Sequence, residues 1–197
     1  MALLPLPSSF IINGMRKWNA ILSAAILILF VAHGVIGGFQ LAGLYPGGSR
    51  ILKMLARALA TLIVIHGIIG IKLTVDTLRI QKKAGVSYFK ENKLFWARRI
   101  SGFAIFILIF FHMALFIGHE ADGVVRLNPF EMPQLILHLI LVLAIAVHVI
   151  SNVRPVLISF GIRSLKQFAA DLIIISAILL VFMGAMFVVY YFRWIAV

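Results

Sequence analysis

The sequence predicts an all-α integral membrane protein, a single bundle of five transmembrane helices. Of its 197 residues 63% are hydrophobic and only 12% are charged, and mean hydropathy is +1.11, which lies outside the range of a soluble domain. Five apolar runs, at about 18–39, 52–75, 98–118, 132–153 and 168–193, each supply the roughly 20 helical residues that a hydrocarbon core requires. All six histidines fall within or at the end of these runs, which a bundle interior accommodates and a lipid-facing surface does not.

The elements follow in order. Met1 to Lys17 carries two prolines and the Arg16-Lys17 cluster, but the apolar run behind it has no small-residue cleavage site, so the first helix is expected to be retained. Tyr45-Pro46-Gly47-Gly48-Ser49 is a turn signal between the first two helices. The longest polar segment, Thr77 to Lys93, sets Lys90, Glu91 and Lys93 around Tyr88 and Phe89; it reads as a solvated loop or as a docking surface for a soluble partner. Asn128-Pro129 and Pro133 mark the entry to the fourth helix. These connections are too short for a further domain, so residues 1–197 form one unit.

Charge then orients the bundle. Arg16, Lys17, Lys72, Arg79, Lys82, Lys83, Lys90, Lys93, Arg98, Arg99, Arg154, Arg163 and Lys166 fall at one end, against Arg50, Lys53, Arg57, Arg126 and Arg193 at the other. The positive-inside rule predicts a cytoplasmic N-terminus and an external C-terminus, in a prokaryotic inner (cytoplasmic) membrane. The formal charge of +12 is accounted for in this way, and nucleic acid is not an expected partner. Trp18, Trp96 and Trp194 stand at the predicted interfaces as aromatic anchors.

The absence of cysteine excludes iron–sulfur ligation, thioether-linked haem, thiolate zinc sites and disulfides, leaving nitrogen or oxygen as ligands. No Asp or Glu lies near the middle of any apolar run, so histidine–carboxylate proton relays and hard-cation sites lack their usual partners. Neutral imidazole remains a good axial ligand for haem iron. Depth sharpens the expectation. At 1.5 Å per residue, His33 and His112 lie roughly 5–7 Å to the outer side of the midplane, and His66 and His148 roughly 2–6 Å to the cytoplasmic side. Four helices thus offer two levels of two histidines, the pattern for two bis-histidine b haems stacked across the membrane.

His33-Gly34-Val35-Ile36-Gly37 and His66-Gly67-Ile68-Ile69-Gly70 repeat one device, glycine at i+1 and i+4 of a histidine. Gly37 and Gly70 share the histidine's helix face, where a missing side chain admits either a flat ring or a neighbouring helix. Around His148, Ala144, Ala146 and Ser151 are small as well. Arg98, Arg99, Arg154 and Lys166, just inside the cytoplasmic boundary, serve either as orientation anchors or as partners for haem propionates. His119 and His138, near the outer helix ends and close to Glu120 and Asp122, are expected within reach of water; they are interfacial histidines or a polar wall for a quinone headgroup.

Over about residues 15 to 195 the chain resembles the five-helix, di-haem cytochrome b anchor subunit of succinate dehydrogenases and fumarate reductases. Trp96-Ala97-Arg98-Arg99-Ile100-Ser101-Gly102 followed by His112 looks like that family's hydroxyl-residue-glycine opening of its third ligand-bearing helix, with the ligand ten residues after the glycine. His148-Val149-Ile150-Ser151-Asn152-Val153-Arg154 is similar to its small-residue, arginine-ended exit from the fourth. The resemblance implies that His66 and His148 hold the proximal haem and His33 and His112 the distal one. It implies as partners an FAD-containing flavoprotein and an iron–sulfur subunit, with a quinone, commonly menaquinone, as substrate. Some family members carry a glutamate close before the fourth ligand; here Ile145, Ala146 and Val147 precede His148. The competing function is a cytochrome b of another membrane oxidoreductase, such as a hydrogenase or formate dehydrogenase, which often puts two ligands on one helix. A transporter using histidines for protons or metal is the third.

Overall fold

In lipid a helix must satisfy its own backbone polar groups, and continuous helices do so for the spans of this chain. The structure, a computed structural model, describes residues 7–85, 92–121, 124–126, 128–162 and 166–195, without the side chains of 7–13, 119–121, 124–126 and 166. Tyr88, Phe89, Lys90, Glu91, Asp122 and Arg163 therefore lie outside it. Five long helices account for most of the described residues: α1 (Pro7–Leu41), α2 (Arg50–Lys83), α3 (Lys93–Ile117), α4 (Met132–Ser159) and α5 (Lys166–Ile195). All five are long and apolar enough to cross a membrane. Hydroxyls inside the spans bond back to their own helix, as in Ser23 to the Asn19 carbonyl at 2.8 Å and Thr74 to that of Gly70 at 2.7 Å.

The helices outrun the apolar stretches that announce them. α2 continues through Thr77, whose hydroxyl donates to the Leu73 carbonyl at 2.7 Å, to a last turn holding Lys82 and Lys83, where cations favour the helix C-terminus. The first part of the expected polar loop is thus helical. α4 likewise passes through Pro155, six residues beyond the expected end at 153, to Ser159. The N-termini are capped locally: Asn92 accepts from the Phe95 amide at 3.2 Å, and Glu131 and Gln134 form a reciprocal capping box at the start of α4. Gly118, at φ +69°, stops α3 in a conformation other residues rarely adopt. It leads into a short antiparallel pair, β1 (His119–Ala121) with β2 (Val124–Arg126), His119 opposite Arg126.

The helices close into a ring in the order α2, α1, α5, α4, α3, with α1 also touching α4; α2 and α3 make the lightest contact. A cavity of about 200 Å³ lies between those two, lined among others by Ala60, Thr61, Phe106 and Met113. At the end carrying the C-termini of α1, α3 and α5 the bundle is densely packed, with Leu115, Phe130, Leu135 and Phe187 buried together. Elsewhere large apolar side chains such as Ile28, Ile51, Ile178 and Val181 face outward, as a lipid-solvated surface requires.

Candidate functional site

Histidines from four helices come together inside the bundle as two facing pairs. The His66 and His148 rings, from α2 and α4, lie 6.3 Å apart between centroids at 90°. Those of His33 and His112, from α1 and α3, lie 6.1 Å apart at 80°. These are the pairs that depth alone proposes. Every pair joins the α1–α2 hairpin to the α3–α4 unit.

The His66–His148 level is set by α3. The backbone carbonyl of Arg98 can only accept, so His148 donates to it from Nδ1 at 3.1 Å, which fixes the tautomer and leaves Nε2 with its lone pair. Ser101 Oγ stands 3.3 Å from the same nitrogen and donates to the Arg98 carbonyl at 3.2 Å. Gly102 makes this approach possible: a Cβ there would come within 3.0 Å of His148 Cε1 and 3.3 Å of Nδ1. Since His112 follows Gly102 by ten residues of helix, the two histidine levels are separated by about 15 Å along α3.

Two imidazoles that bind one metal ion from opposite sides, at about 2.0–2.1 Å each, put their ring centroids roughly 6 Å apart. Edge-to-face ring packing covers the same range, so separation is half of the fit test. The space beside each pair is the other half. A Cβ on Gly37 would meet nothing within 4 Å, and one on Gly70 only the Arg99 guanidinium at 3.9 Å. Helix packing explains other glycines instead: a Cβ on Gly34 would overlap Met183, and one on Gly38 would press on Phe182, both on α5. The two i+4 glycines thus border open space next to an imidazole pair, whereas the i+1 glycine of α1 serves helix contact. Among the described residues no group of three or more His, Cys, Asp or Glu is placed to hold a metal ion, so each imidazole pair stands by itself.

No family model, curated protein or solved structure matches this chain.

The remaining predicted residues divide. Trp96, Arg98 and Arg99 stand at the start of α3 beside the His148 level, with the Arg99 guanidinium 5.1 Å over the Phe95 ring and Trp96 edge-on to that ring at 5.4 Å. Arg98 Nε donates to the Leu94 carbonyl at 2.9 Å, and Arg154 is exposed at the same end of the bundle. The side chains of Lys166, His119 and Glu120 lie outside the described ones, so the polar wall proposed from His119 and Glu120 has no observed geometry.

His138 departs from expectation. Instead of meeting water it is 1% exposed, with Phe116, Phe130 and Phe187 around it at ring separations of 5.6, 5.5 and 4.7 Å. Aromatic residues from α3, α5 and the segment before α4 close over it. Its ring is 5.3 Å from that of His112. Sequence depth places it correctly near a helix end but carries no information about this cover.

Proposed function

We propose that this chain is the membrane anchor and electron-transfer subunit of a succinate:quinone or quinol:fumarate oxidoreductase, holding two bis-histidine b haems. The observation that carries the proposal is the pair of facing histidine couples, 6.3 and 6.1 Å apart and roughly perpendicular, each beside a glycine that borders open space. His66 and His148 would hold the haem nearer the cytoplasm, and His33 and His112 the outer one. Haem b, when bound, supplies a one-electron centre. The protein's part is to present neutral imidazole nitrogens, to keep carboxylates out of the middle of the spans and to surround both sites with apolar side chains. For His148 the Arg98 carbonyl holds the proton on Nδ1 and keeps Nε2 for the metal.

Arg98, Arg99 and Arg154 occupy the end at which haem propionates of the inner site would emerge, and Trp96 stands beside them. The basic end would face the cytoplasm and meet an iron–sulfur subunit, itself served by an FAD-containing flavoprotein that carries the succinate–fumarate chemistry. A quinone, menaquinone on the resemblance, would exchange electrons with the chain at the membrane. A scheme with His138 and His148 as two ligands on α4 would leave His33 without a role, whereas the His33 ring faces that of His112 at 6.1 Å.

The test is a reduced-minus-oxidised visible spectrum of the purified complex, with haem quantified per chain and co-purifying subunits identified. Two low-spin b haems beside a flavoprotein and an iron–sulfur protein are expected. Two haems with other partners would move the chain to another respiratory complex, and a colourless complex would overturn the haem assignment.

A further inference from the structure

His138 has no task in the scheme above, yet it is the most buried polar residue described, and Phe130 alone is buried as deeply among the large side chains. Its Nδ1 lies 2.6 Å from the Gln134 carbonyl, which can only accept, so Nδ1 carries the proton and Nε2 carries a lone pair. That Nε2 is buried without a partner among the described residues. The Nδ1 of His112 is in the same state. If Nε2 of His112 faces a metal, its Nδ1 must bear the proton, so one ring offers a donor and the other an acceptor. The centroids are 5.3 Å apart and the planes inclined by 57°. A direct N–H···N bond, about 2.9–3.0 Å between nitrogens, sets two imidazole centroids roughly 5 Å apart. The observed separation is therefore within reach of a direct bond between the two rings.

We propose that His138 is the positioning residue of His112: it accepts the Nδ1–H of the ligand on Nε2 and passes the constraint through its own Nδ1–H to the Gln134 carbonyl. Metal-bound histidines nearly always donate their second nitrogen to a carboxylate, a backbone carbonyl or water. His148 uses the Arg98 carbonyl. Carboxylates are missing from the middle of the spans, and the aromatic cover over His138 leaves water little access, so a neutral imidazole takes that part at the other level. The two levels would then differ in the acceptor behind one ligand, and a hydrogen bond to the ligand's rear nitrogen, by raising its basicity, favours the oxidised metal.

The inference rests on the haem assignment, and the experiment separates the two. The complex is titrated potentiometrically in the visible region for the wild type, His138→Phe, His138→Gln and His33→Ala, the last identifying the component that belongs to the His33–His112 site. His138→Phe keeps an aromatic ring and removes the acceptor; it is expected to shift that component to more positive potential, or to lose it selectively, with the other component unchanged. His138→Gln retains a carbonyl acceptor and is expected to shift it less. Where the Phe variant does not assemble, His138→Leu takes its place. Both components at wild-type potentials in the apolar variant, or an equal shift of both, would overturn the role of His138 while leaving the haem assignment intact. A wild-type complex without b haem would remove that assignment itself.

Discussion

At the scale of single residues, the site depends on what stands behind each imidazole. Alanine at His66 or His148 is expected to abolish one b-type component and leave the other detectable by difference spectroscopy; equal loss of both in a folded bundle would refute the pairing. Gly102 is the sharper case, because it holds no ligand. Gly102→Val would force His148 off the Arg98 carbonyl, and losing such a rear contact typically costs roughly 10–100-fold in metal affinity. The expected result is a selective fall in occupancy of the same component, read by haem titration, with Gly102→Ala milder. That His66 meets His148 and His33 meets His112 was legible in the sequence, because position along a helix converts into depth; the approach of His138 to His112 was not. Nor was what holds the pairs. The Gly102–His148 contact depends on how α3 is rotated towards α4, and Ser101-Gly102 is visible beforehand only as a pattern without a partner.

At the scale of elements, each helix is longer than its apolar run because hydropathy marks the edge of lipid and not the end of hydrogen bonding. Thr77, Lys82 and Lys83 are polar and yet helical, since the hydroxyl bonds backwards and the cations meet a helix C-terminus. The aromatic group at the opposite end has no one-dimensional signature at all: Phe116, Phe130 and Phe187 are far apart in sequence and become neighbours only when α3, α4 and α5 pack. Phe130, fully buried, is its centre. In lipid the transfer term largely vanishes and the lost packing remains, so Phe130→Ala is expected to cost about 1–3 kcal/mol in unfolding titrations in detergent micelles. It should also raise the reactivity of His138 towards a histidine-directed reagent, since the ring that covers it is gone.

At the scale of the molecule, the absence of cysteine makes orientation directly measurable. Gly47→Cys, in the α1–α2 connection where a Cβ meets nothing within 4 Å, and Ser159→Cys, at the last residue of α4, sit at opposite ends. An impermeant thiol reagent added to intact cells is expected to label the first and not the second, and inverted vesicles should reverse the result; the opposite pattern would reject the positive-inside orientation. The ring of helices has its lightest contact between α2 and α3, and both histidine couples bridge the α1–α2 hairpin to the rest. Ligands that bind only the assembled form stabilise it by linkage. In a cell starved of haem, the α2–α3 side of newly made chains would be left weakly held and open to membrane proteases. The half-life of the chain, followed by pulse–chase, is therefore expected to track haem supply, making turnover a gauge of whether both couples have been filled.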